Sequence, residues 1–312
     1  MAAVICGSLA FDTIMTFEGR FADQILPDQL HILNVSFLVP GLRRDFGGCA
    51  GNIAYSLNAL GGRALPMATV GSDGADYIER LRTLGISTEF VRQVGDTFTA
   101  QAMIMNDRDN NQITAFHPGA MNYSHENRIS RSFGADLAII GPDGKEGMLQ
   151  HARQCAEADI AFVFDPGQGL PMFSSEELMQ FVRQADFVAV NDYEGKLLEE
   201  RTGRKLEQLA KEVKALVCTM GAKGSVIFAD GKRHEIPIVE AEKVVDPTGC
   251  GDAYRAGLLY GIAHGWDWPS TGRLSALLGA IKIAQRGAQN HAPKRDEIEA
   301  RFERAFGYKA PF

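Results

Sequence analysis

The sequence has few cysteines, and none of them form a close pair. Its five cysteines are scattered and no Cys-x-x-Cys spacing occurs, which argues against a zinc site or a disulfide framework and for reduced thiols. An excess of positive charge is also missing, because 32 Lys and Arg stand against 39 Asp and Glu and the net charge is −7. This balance argues against nucleic acid or an anionic membrane as a partner.

Long apolar runs are absent as well. No run approaches the ~18 residues of a transmembrane helix, and the start, MAAVICGSLAFD, has neither the basic region nor the apolar core of a signal peptide. We therefore expect a cytoplasmic protein without a membrane partner. With 312 residues, 45% of them hydrophobic, the chain can bury a large core in one domain, with or without an appendage.

What is present is a regular alternation of strands and helices. From residue 135 onward, short apolar runs are each followed by a helical pattern: DLAIIGP, IAFVFDPG, FVAVND and ALVCTMG. Continuous apolar strands that alternate with helices predict an α/β fold with a mainly parallel sheet and helices on both faces. Alternating patterns around polar turns predict two β-hairpins, in residues 99–116 and 225–239.

Polar or glycine residues follow several of these apolar runs: Asp12, Asp165, Asn191, Gly221 and Asp246. In an open α/β sheet, ligands bind in the crevice at the carboxyl ends of the strands. We therefore expect these five residues to meet at one edge of the sheet and to line a binding site.

Two extended segments, residues 13–44 and 97–117, do not fit the parallel sheet. We predict that they form a small β-sheet lid over a larger domain made of residues 1–12, 45–96 and 118–312. A lid of this kind excludes water from a site. Its exposed strand edges make a homodimer through the lid a further expectation.

The run from Asp246 to Asp252, D-P-T-G-C-G-D, precedes an apolar helical pattern. The first N–H groups of a helix lack internal partners and carry partial positive charge, and glycines let an anion approach them closely. Asp252 would repel a ligand that is merely a phosphate. It is better explained as a general base beside a hydroxyl that attacks phosphorus.

This run resembles the D-T-x-G-x-G-D signature of the ribokinase-like (PfkB) family of carbohydrate and nucleoside kinases. The resemblance implies an ATP- and Mg²⁺-dependent kinase in which Asp252 is the catalytic base. It also implies that the backbone amides of Gly249, Cys250 and Gly251 form an anion hole for the transferred phosphoryl group.

The family most often has Ala where this sequence has Cys250. A thiol at a helix N-terminus should have a lowered pKa, so we expect Cys250 to react with iodoacetamide.

A second motif is the Gly47-Gly48 pair followed by Asn52. By itself it is typical of a tight turn with Asn52 at a helix start. Beside the first motif it resembles the sugar-binding signature of the same family, which implies that the glycine pair and Asn52 bind a sugar. Asp12 matches the family's sugar-binding aspartate after the first strand, and Ser8 lies in the same N-terminal run.

The nucleotide side of the predicted site rests on three further resemblances. Asn191 and Glu194 fit an ordinary capping box but also resemble an N-x-x-E motif that organises Mg²⁺ through water. The glycine-rich turn after the fourth apolar run resembles a loop that contacts ATP phosphates, which implies ATP-binding roles for Asn191, Thr219, Gly221, Gly224 and Gly251. Backbone carbonyls near Asp246 and Thr248, with the segment around residues 285–289, imply a possible K⁺ site.

The acceptor is suggested by three stretches, GSLAFDTIMTF, LPDQLH…SFLV and FHPGAM, which resemble bacterial adenosine kinases more than ribokinases. This resemblance implies that Gln168 lies near the acceptor and that Phe116 stacks on a purine, although Phe116 equally fits a hairpin core position. We expect phosphorylation of the 5′-hydroxyl of a purine ribonucleoside, adenosine first and inosine or guanosine next. The alternatives are a kinase for ribose or a ketohexose, a non-catalytic nucleoside sensor and, more distantly, a nicotinamide oxidoreductase.

Overall fold

The computed structural model describes residues 2–25, 31–32, 34–109, 111–131, 134–135 and 137–312. Three features of the sequence analysis lie partly outside this range: the LPDQLH stretch, the turn of the first hairpin at Asn110, and the start of the DLAIIGP run.

The described residues form thirteen strands and ten α-helices. The strands are β1 (Ala2–Cys6), β2 (Ala10–Thr16), β3 (Gly41–Gly47), β4 (Arg63–Val70), β5 (Val91–Gln93), β6 (Ala100–Asn106), β7 (Gln112–His117), β8 (Leu137–Ile140), β9 (Ala161–Phe164), β10 (Phe187–Asn191), β11 (Ala215–Thr219), β12 (Ser225–Ala229) and β13 (Lys232–Ile236). The helices are α1 (Phe21–Gln24), α2 (Cys49–Ala59), α3 (Ala75–Thr83), α4 (Lys145–Ala158), α5 (Ser175–Gln184), α6 (Asp192–Thr202), α7 (Leu206–Leu209), α8 (Cys250–Ala263), α9 (Trp268–Ile283) and α10 (Arg295–Phe306).

Within these residues the larger sheet has nine strands in the order β13-β12-β11-β10-β9-β8-β1-β4-β5. From β5 to β11 every neighbouring pair is parallel, and β12 and β13 add an antiparallel hairpin at one edge. The central strands are short and apolar on both sides. All four residues of β8, LAII, are buried, as expected for a strand with helices on both faces.

Helices cover both faces of this sheet and form two cores. Alternate residues of one strand enter opposite cores: Ala3 and Ile5 face one, and Val4 faces the other. The first core is completed by α2, α3, α8, α9 and α10, and the second by α4, α5, α6 and α7. The predicted α/β fold is confirmed, as are both hairpins.

A second sheet of four strands has the order β3-β2-β6-β7 in the described part of the chain. Strand β2 pairs antiparallel with β3 and parallel with β6, and β6 pairs antiparallel with β7. This small sheet is the predicted lid. One row across it aligns Asp45, Asp12, Ala102 and Phe116, so these side chains share one face of the lid.

Two local predictions are wrong. Asp246 does not follow a strand, because Val245 and Asp246 donate their backbone N–H groups to the carbonyl of Ile283 at the end of α9. Asp12 does not end a strand of the large sheet, since it lies inside β2 of the lid. Among the described residues, no helix combines the length and apolar character needed to cross a bilayer.

Candidate active site

The start of α8 is built to receive an anion. Its first residue is preceded by Gly249, which has a φ of 78°, and no side chain caps this end of the helix. A Cβ on Gly249 would lie 2.8 Å from the Cβ of Ala288, so both the conformation and the close packing favour glycine. Gly251 is exposed, and a Cβ built on it meets only Arg255, at 3.8 Å. The N–H of Cys250 donates to the Pro247 carbonyl at 3.1 Å, whereas those of Gly251 and Asp252 are left for a ligand.

Asp252 lies in this first turn and is held by a chain of hydrogen bonds. The Asn52 side chain of α2 donates through Nδ2 to Asp252 Oδ2 at 2.8 Å. Gln289 Nε2 in turn donates to Asn52 Oδ1 at 3.0 Å and to the hydroxyl of Tyr77 at 2.7 Å. The Tyr77 hydroxyl donates to the carbonyl of Gly47 at 2.6 Å. One carboxylate oxygen of Asp252 is therefore fixed, and the position of the side chain depends on three other elements.

The electrostatic surroundings suit Asp252 to proton transfer. Its pKa is raised to about 6, mainly by burial and also by the negative charge of Asp165. The hydrogen bond from Asn52 and the charges of Arg255 and Lys282 oppose this increase. Asp252 is consequently ionised at neutral pH, yet it is more basic than an ordinary carboxylate, as general-base catalysis requires.

A buried arginine on α8 connects this helix to two neighbouring strands. Arg255 donates through Nε and Nη2 to the two carboxylate oxygens of Asp165, at 3.1 and 3.0 Å. Its Nη2 also lies 3.9 Å from Glu194 Oε2. Burial lowers the pKa of Arg255, but the charges of Asp165 and Glu194 raise it further than burial lowers it. This ion cluster fixes the start of α8 against the carboxyl ends of β9 and β10.

On the acceptor side, Asp12 lies against the glycine turn. A Cβ built on Gly47 would lie 2.4 Å from Asp12 Oδ2. The absence of a side chain at Gly47 therefore leaves room for this carboxylate against the backbone. Gly48 precedes α2, and the Ser8 hydroxyl accepts from the N–H of Cys49 at 3.3 Å while the Ser8 carbonyl accepts from Ala50. The structure thus brings Ser8, Asp12, Gly47 and Gly48 together, as predicted.

Several carboxylates meet here, and we call Asp12, Asp45, Asp246 and Asp252 the acidic cluster. The pKa of Asp12 is raised to about 6, mainly by burial and also by the charges of the other three members. Arg43 is the counter-charge, with Nε 3.2 Å from Asp45 Oδ2 and Nη2 3.8 Å from Asp246 Oδ2.

Phe116 lies on lid strand β7, and Gln168 lies just after β9. Phe116 is 53% exposed, so it is not a hairpin core residue. It shares the lid face of Asp12, two strands away, which corresponds to about 10 Å at the usual strand spacing. Small Ala102 lies between them. Gln168 is exposed in a short 3-10 helix, Gly167–Met172, that follows β9.

The predicted nucleotide-binding residues lie at the ends of two adjacent strands. Asn191 of β10 is paired in register with Thr219 of β11. Gly221 and Gly224 form the turn that follows, both with positive φ. Asn191 caps α6: its Oδ1 accepts from the Glu194 N–H at 2.8 Å, and Glu194 Oε2 accepts from the Asn191 N–H at 2.8 Å. The capping box that the sequence suggested is therefore present.

Asn191 and Glu194 are suited to hold Mg²⁺ only through bridging water molecules. Glu194 is buried, and its oxygens accept hydrogen bonds from the Asn191 backbone and side chain. Burial and the charge of Asp165 raise its pKa. The described residues contain no cluster of three or more His, Cys, Asp or Glu side chains able to hold a metal directly. A hydrated Mg²⁺, which keeps most of its waters, suits these ligands.

The expectation that Cys250 has a lowered pKa is wrong. Burial raises its pKa to about 11; Lys282 opposes this, and Asp246 and Asp252 add to it. The helix terminus is outweighed, because the sulfur is partly buried and points toward the carbonyl of Asp246, 3.9 Å away.

Sequence reasoning missed four residues of the site: Arg43, Arg255, Lys282 and Gln289. Arg255 and Lys282 lie within apolar helical patterns, where a buried charge needs a partner. A charged residue within an apolar helical pattern is therefore the sequence signal that would have identified Arg255 and Lys282. Arg43 and Gln289 lie in polar stretches, where nothing distinguishes them.

Comparison with known proteins places this site in a family. The sequence pattern of the pfkB family of carbohydrate kinases matches residues 17–295. The chain belongs to the pfkB family. The predicted ribokinase-like resemblance is confirmed, and this pfkB protein is an ATP-dependent kinase with an alcohol group as acceptor.

Three relatives of this pfkB protein illustrate the likeness. A nucleoside kinase of Methanocaldococcus jannaschii is 33% identical over 273 residues, which cover 87% of this chain and 90% of the relative. The structure of Burkholderia thailandensis nucleoside kinase in complex with inosine has a TM-score of 0.90 and 55% identity, and the match covers 98% of this chain and 99% of that chain. A ribokinase of Lactococcus lactis is 28% identical over 271 residues, 82% of this chain and 85% of the relative.

Proposed function

We propose that the protein transfers the γ-phosphoryl group of ATP to the 5′-hydroxyl of a purine ribonucleoside. The observation that carries this proposal is the Asp252 carboxylate, held by Asn52 at the uncapped start of α8. A base and an anion hole side by side are the two parts that a hydroxyl needs to attack phosphorus.

In the proposed reaction, Asp252 accepts the proton of the 5′-hydroxyl as its oxygen attacks the γ-phosphorus. Asn52 keeps the carboxylate oriented, and it retains a second amide hydrogen that can reach a ribose hydroxyl. The N–H groups of Gly249, Gly251 and Asp252 stabilise negative charge on the transferred group, and that of Cys250 would join them only by leaving the Pro247 carbonyl. Mg²⁺ held through water near Asn191 and Glu194 would neutralise charge on the phosphates. Thr219, Gly221 and Gly224 are proposed to contact the nucleotide.

The acceptor is proposed to be a nucleoside because of the lid face. Asp12 would bind the ribose hydroxyls, and Phe116, which is exposed on the same lid face two strands away, would stack on the base. Ala102 lies between these two residues, and its small side chain leaves space on this face of the lid. Gln168 is proposed to contribute from the opposite side. The likeness to a nucleoside kinase that was crystallised with inosine supports inosine and guanosine beside adenosine.

We further propose that two copies of the protein associate through the lid. We also propose that the enzyme acts in the cytoplasm, in purine salvage. Exposed apolar side chains on the lid face opposite Asp12 support the association: Leu42, Met103 and Ile113. All five cysteines are free thiols, as in proteins of reducing compartments. Light scattering would give the molar mass, and Leu42→Glu should shift it to that of a monomer.

One acceptor panel tests the function. Adenosine, inosine, guanosine, cytidine, 2′-deoxyadenosine, ribose and fructose are compared at equal concentration for ATP consumption and for the phosphorylated product. We expect purine ribonucleosides to exceed the free sugars, and adenosine to exceed its 2′-deoxy form by at least about tenfold, since an unpaired buried carboxylate penalises the missing hydroxyl. A preference for ribose or fructose would make the protein a sugar kinase instead.

A further inference from the structure

Lys282 is a buried cation that binds backbone carbonyls beside the active site. It lies in the last turn of α9 and has no exposed surface. Its ammonium nitrogen, Nζ, donates to the carbonyl oxygen of Asp246 at 2.7 Å and to that of Gln285 at 3.0 Å. Neither acceptor carries a full charge, so this is not an ordinary ion pair.

A buried lysine requires an environment that keeps it charged. The pKa of Lys282 is lowered, mainly by burial; the carboxylates of Asp246 and Asp252 oppose that effect and Arg43 adds to it. The carbonyl end of α9, which carries partial negative charge, lies beside the ammonium. These contacts favour the protonated, cationic form.

The two carbonyls belong to the two loops that shape the catalytic end of α8. Asp246 begins the segment that leads to Gly249 and Asp252. The other loop continues from Gln285 to Gly287, whose N–H donates to Asp246 Oδ2 at 2.9 Å. It then reaches Gln289, which holds Asn52. Lys282 therefore ties the anion-hole loop to the loop that orients the base.

The residues present do not fit the K⁺ site that the sequence suggested. Backbone carbonyls are the ligands that bind K⁺ in place of its water shell, and here the Asp246 carbonyl already binds an ammonium. A second positive charge on the same oxygen would lie within about 4 Å of the first, where like charges repel strongly away from bulk water. The ammonium group of Lys282 therefore occupies the position that K⁺ would take at the Asp246 carbonyl.

We propose that Lys282 is a built-in monovalent cation, which replaces K⁺ and makes the enzyme independent of it. Lys282 is a positioning residue, because it acts through the loops and does not touch the reacting atoms. The proposal relies on the proposed function only for its activity assay.

The experiment compares wild type, Lys282→Ala and Lys282→Met in KCl, NH₄Cl and tetramethylammonium chloride at equal ionic strength. Wild-type kcat should agree within about twofold in all three salts, since screening is then equal. Lys282→Ala should lose at least about tenfold in tetramethylammonium, because misplaced catalytic loops cost this much or more, and K⁺ or NH₄⁺ should restore much of the loss. Lys282→Met fills the space with an uncharged side chain and should not be restored.

Thermal unfolding supplies a readout that needs no turnover. K⁺ should raise the unfolding temperature of Lys282→Ala above its value in tetramethylammonium, because an ion that binds only the folded state stabilises it. Wild type and Lys232→Ala, a control in which an exposed lysine is removed from β13, should show no such difference. If no nucleoside is phosphorylated in any salt, the proposed function fails, and the unfolding series still decides the role of Lys282.

Three results would overturn the proposal: wild type activated more than about fivefold by K⁺ at constant screening, Lys282→Ala fully active without K⁺, or folded Lys282→Ala that neither K⁺ nor NH₄⁺ restores or stabilises. If neither Lys282 variant folds, the wild-type salt series alone decides.

Discussion

Helices α6 and α8 begin close together, yet their N-termini are treated in opposite ways. At α6, Asn191 and Glu194 satisfy each other's backbone N–H groups in a capping box. At α8, Gly249 offers no side chain, and the first turn carries Asp252 instead. Arg255 links the two ends through Asp165 and Glu194. A capped terminus stabilises the fold by itself, whereas an uncapped one keeps its N–H groups for a ligand.

The largest effect should come from Asp252→Asn at the uncapped terminus. The amide keeps the shape and can still contact Asn52, but it cannot accept the proton. We expect kcat to fall roughly 10²- to 10⁴-fold, the usual contribution of a general base, with a much smaller change in nucleoside affinity. Single-turnover phosphoryl transfer and nucleoside titration separate the two quantities. Near-wild-type turnover would remove Asp252 from the chemistry.

The pH dependence should report the same carboxylate. The raised pKa of Asp252, about 6 because of burial, means that protonation removes the base as the pH falls through that value. We expect kcat/KM to be level above pH 7 and to fall about tenfold per pH unit below 6. The pKa of Asp12 is also raised to about 6, so the variant Asp12→Asn tests whether Asp252 is the group that titrates. The fall of kcat/KM below pH 6 should remain in this variant. An acid limb centred near pH 4 would show that Asp252 is an ordinary carboxylate.

The capped terminus should respond in stability more than in rate. Asn191→Ala removes the cap of α6, which should lower the free energy of unfolding by about 1 kcal/mol. Ser174→Ala is the matched control, because Ser174 and Glu177 form the same capping box on α5. Denaturant unfolding should show similar losses for both. Any extra fall in kcat for Asn191→Ala alone, relieved by more Mg²⁺, would measure the proposed metal role. A loss of kcat as large as that of Asp252→Asn, with unchanged stability, would contradict the comparison.

The smallest effect should come from Cys250, whose side chain adds little to the uncapped terminus. Because burial raises its pKa to about 11, the thiol is almost entirely protonated at pH 8. Iodoacetamide should leave wild-type activity intact over the time that alkylates a free thiol. Cys250→Ala keeps the backbone N–H and should change kcat less than about threefold. Rapid loss of activity, with the label mapped to Cys250, would restore the reactive thiol that the sequence suggested.

The contrast between local and distant contacts explains what the sequence could predict. Gly249, Gly251 and Asp252 lie within four consecutive residues, so their chemistry is visible in one short run. Asn191 and Glu194 are three residues apart, and their capping box was likewise foreseen. The large sheet was predictable because strands such as LAII are apolar throughout.

The rest depends on contacts between distant parts of the chain. Gln289 reaches Asn52 across 237 residues, and no periodicity encodes that pairing. Asp246 was misassigned because its backbone pairs with the end of α9, which an apolar run before it cannot reveal. Asp12 follows the first strand by six residues in sequence, yet it belongs to the other sheet.

The acidic cluster has a consequence for what leaves the enzyme. A nucleoside is neutral, so it can enter beside Asp12, Asp45 and Asp252 without electrostatic cost. The phosphorylated product carries a phosphate of charge about −2 on the oxygen that Asp252 had contacted. Carboxylates at this distance in a half-buried crevice repel that charge. For the proposed nucleoside acceptor, these carboxylates therefore act against the finished nucleotide and not against the substrate, whereas the free N–H groups at the start of α8 attract the phosphate.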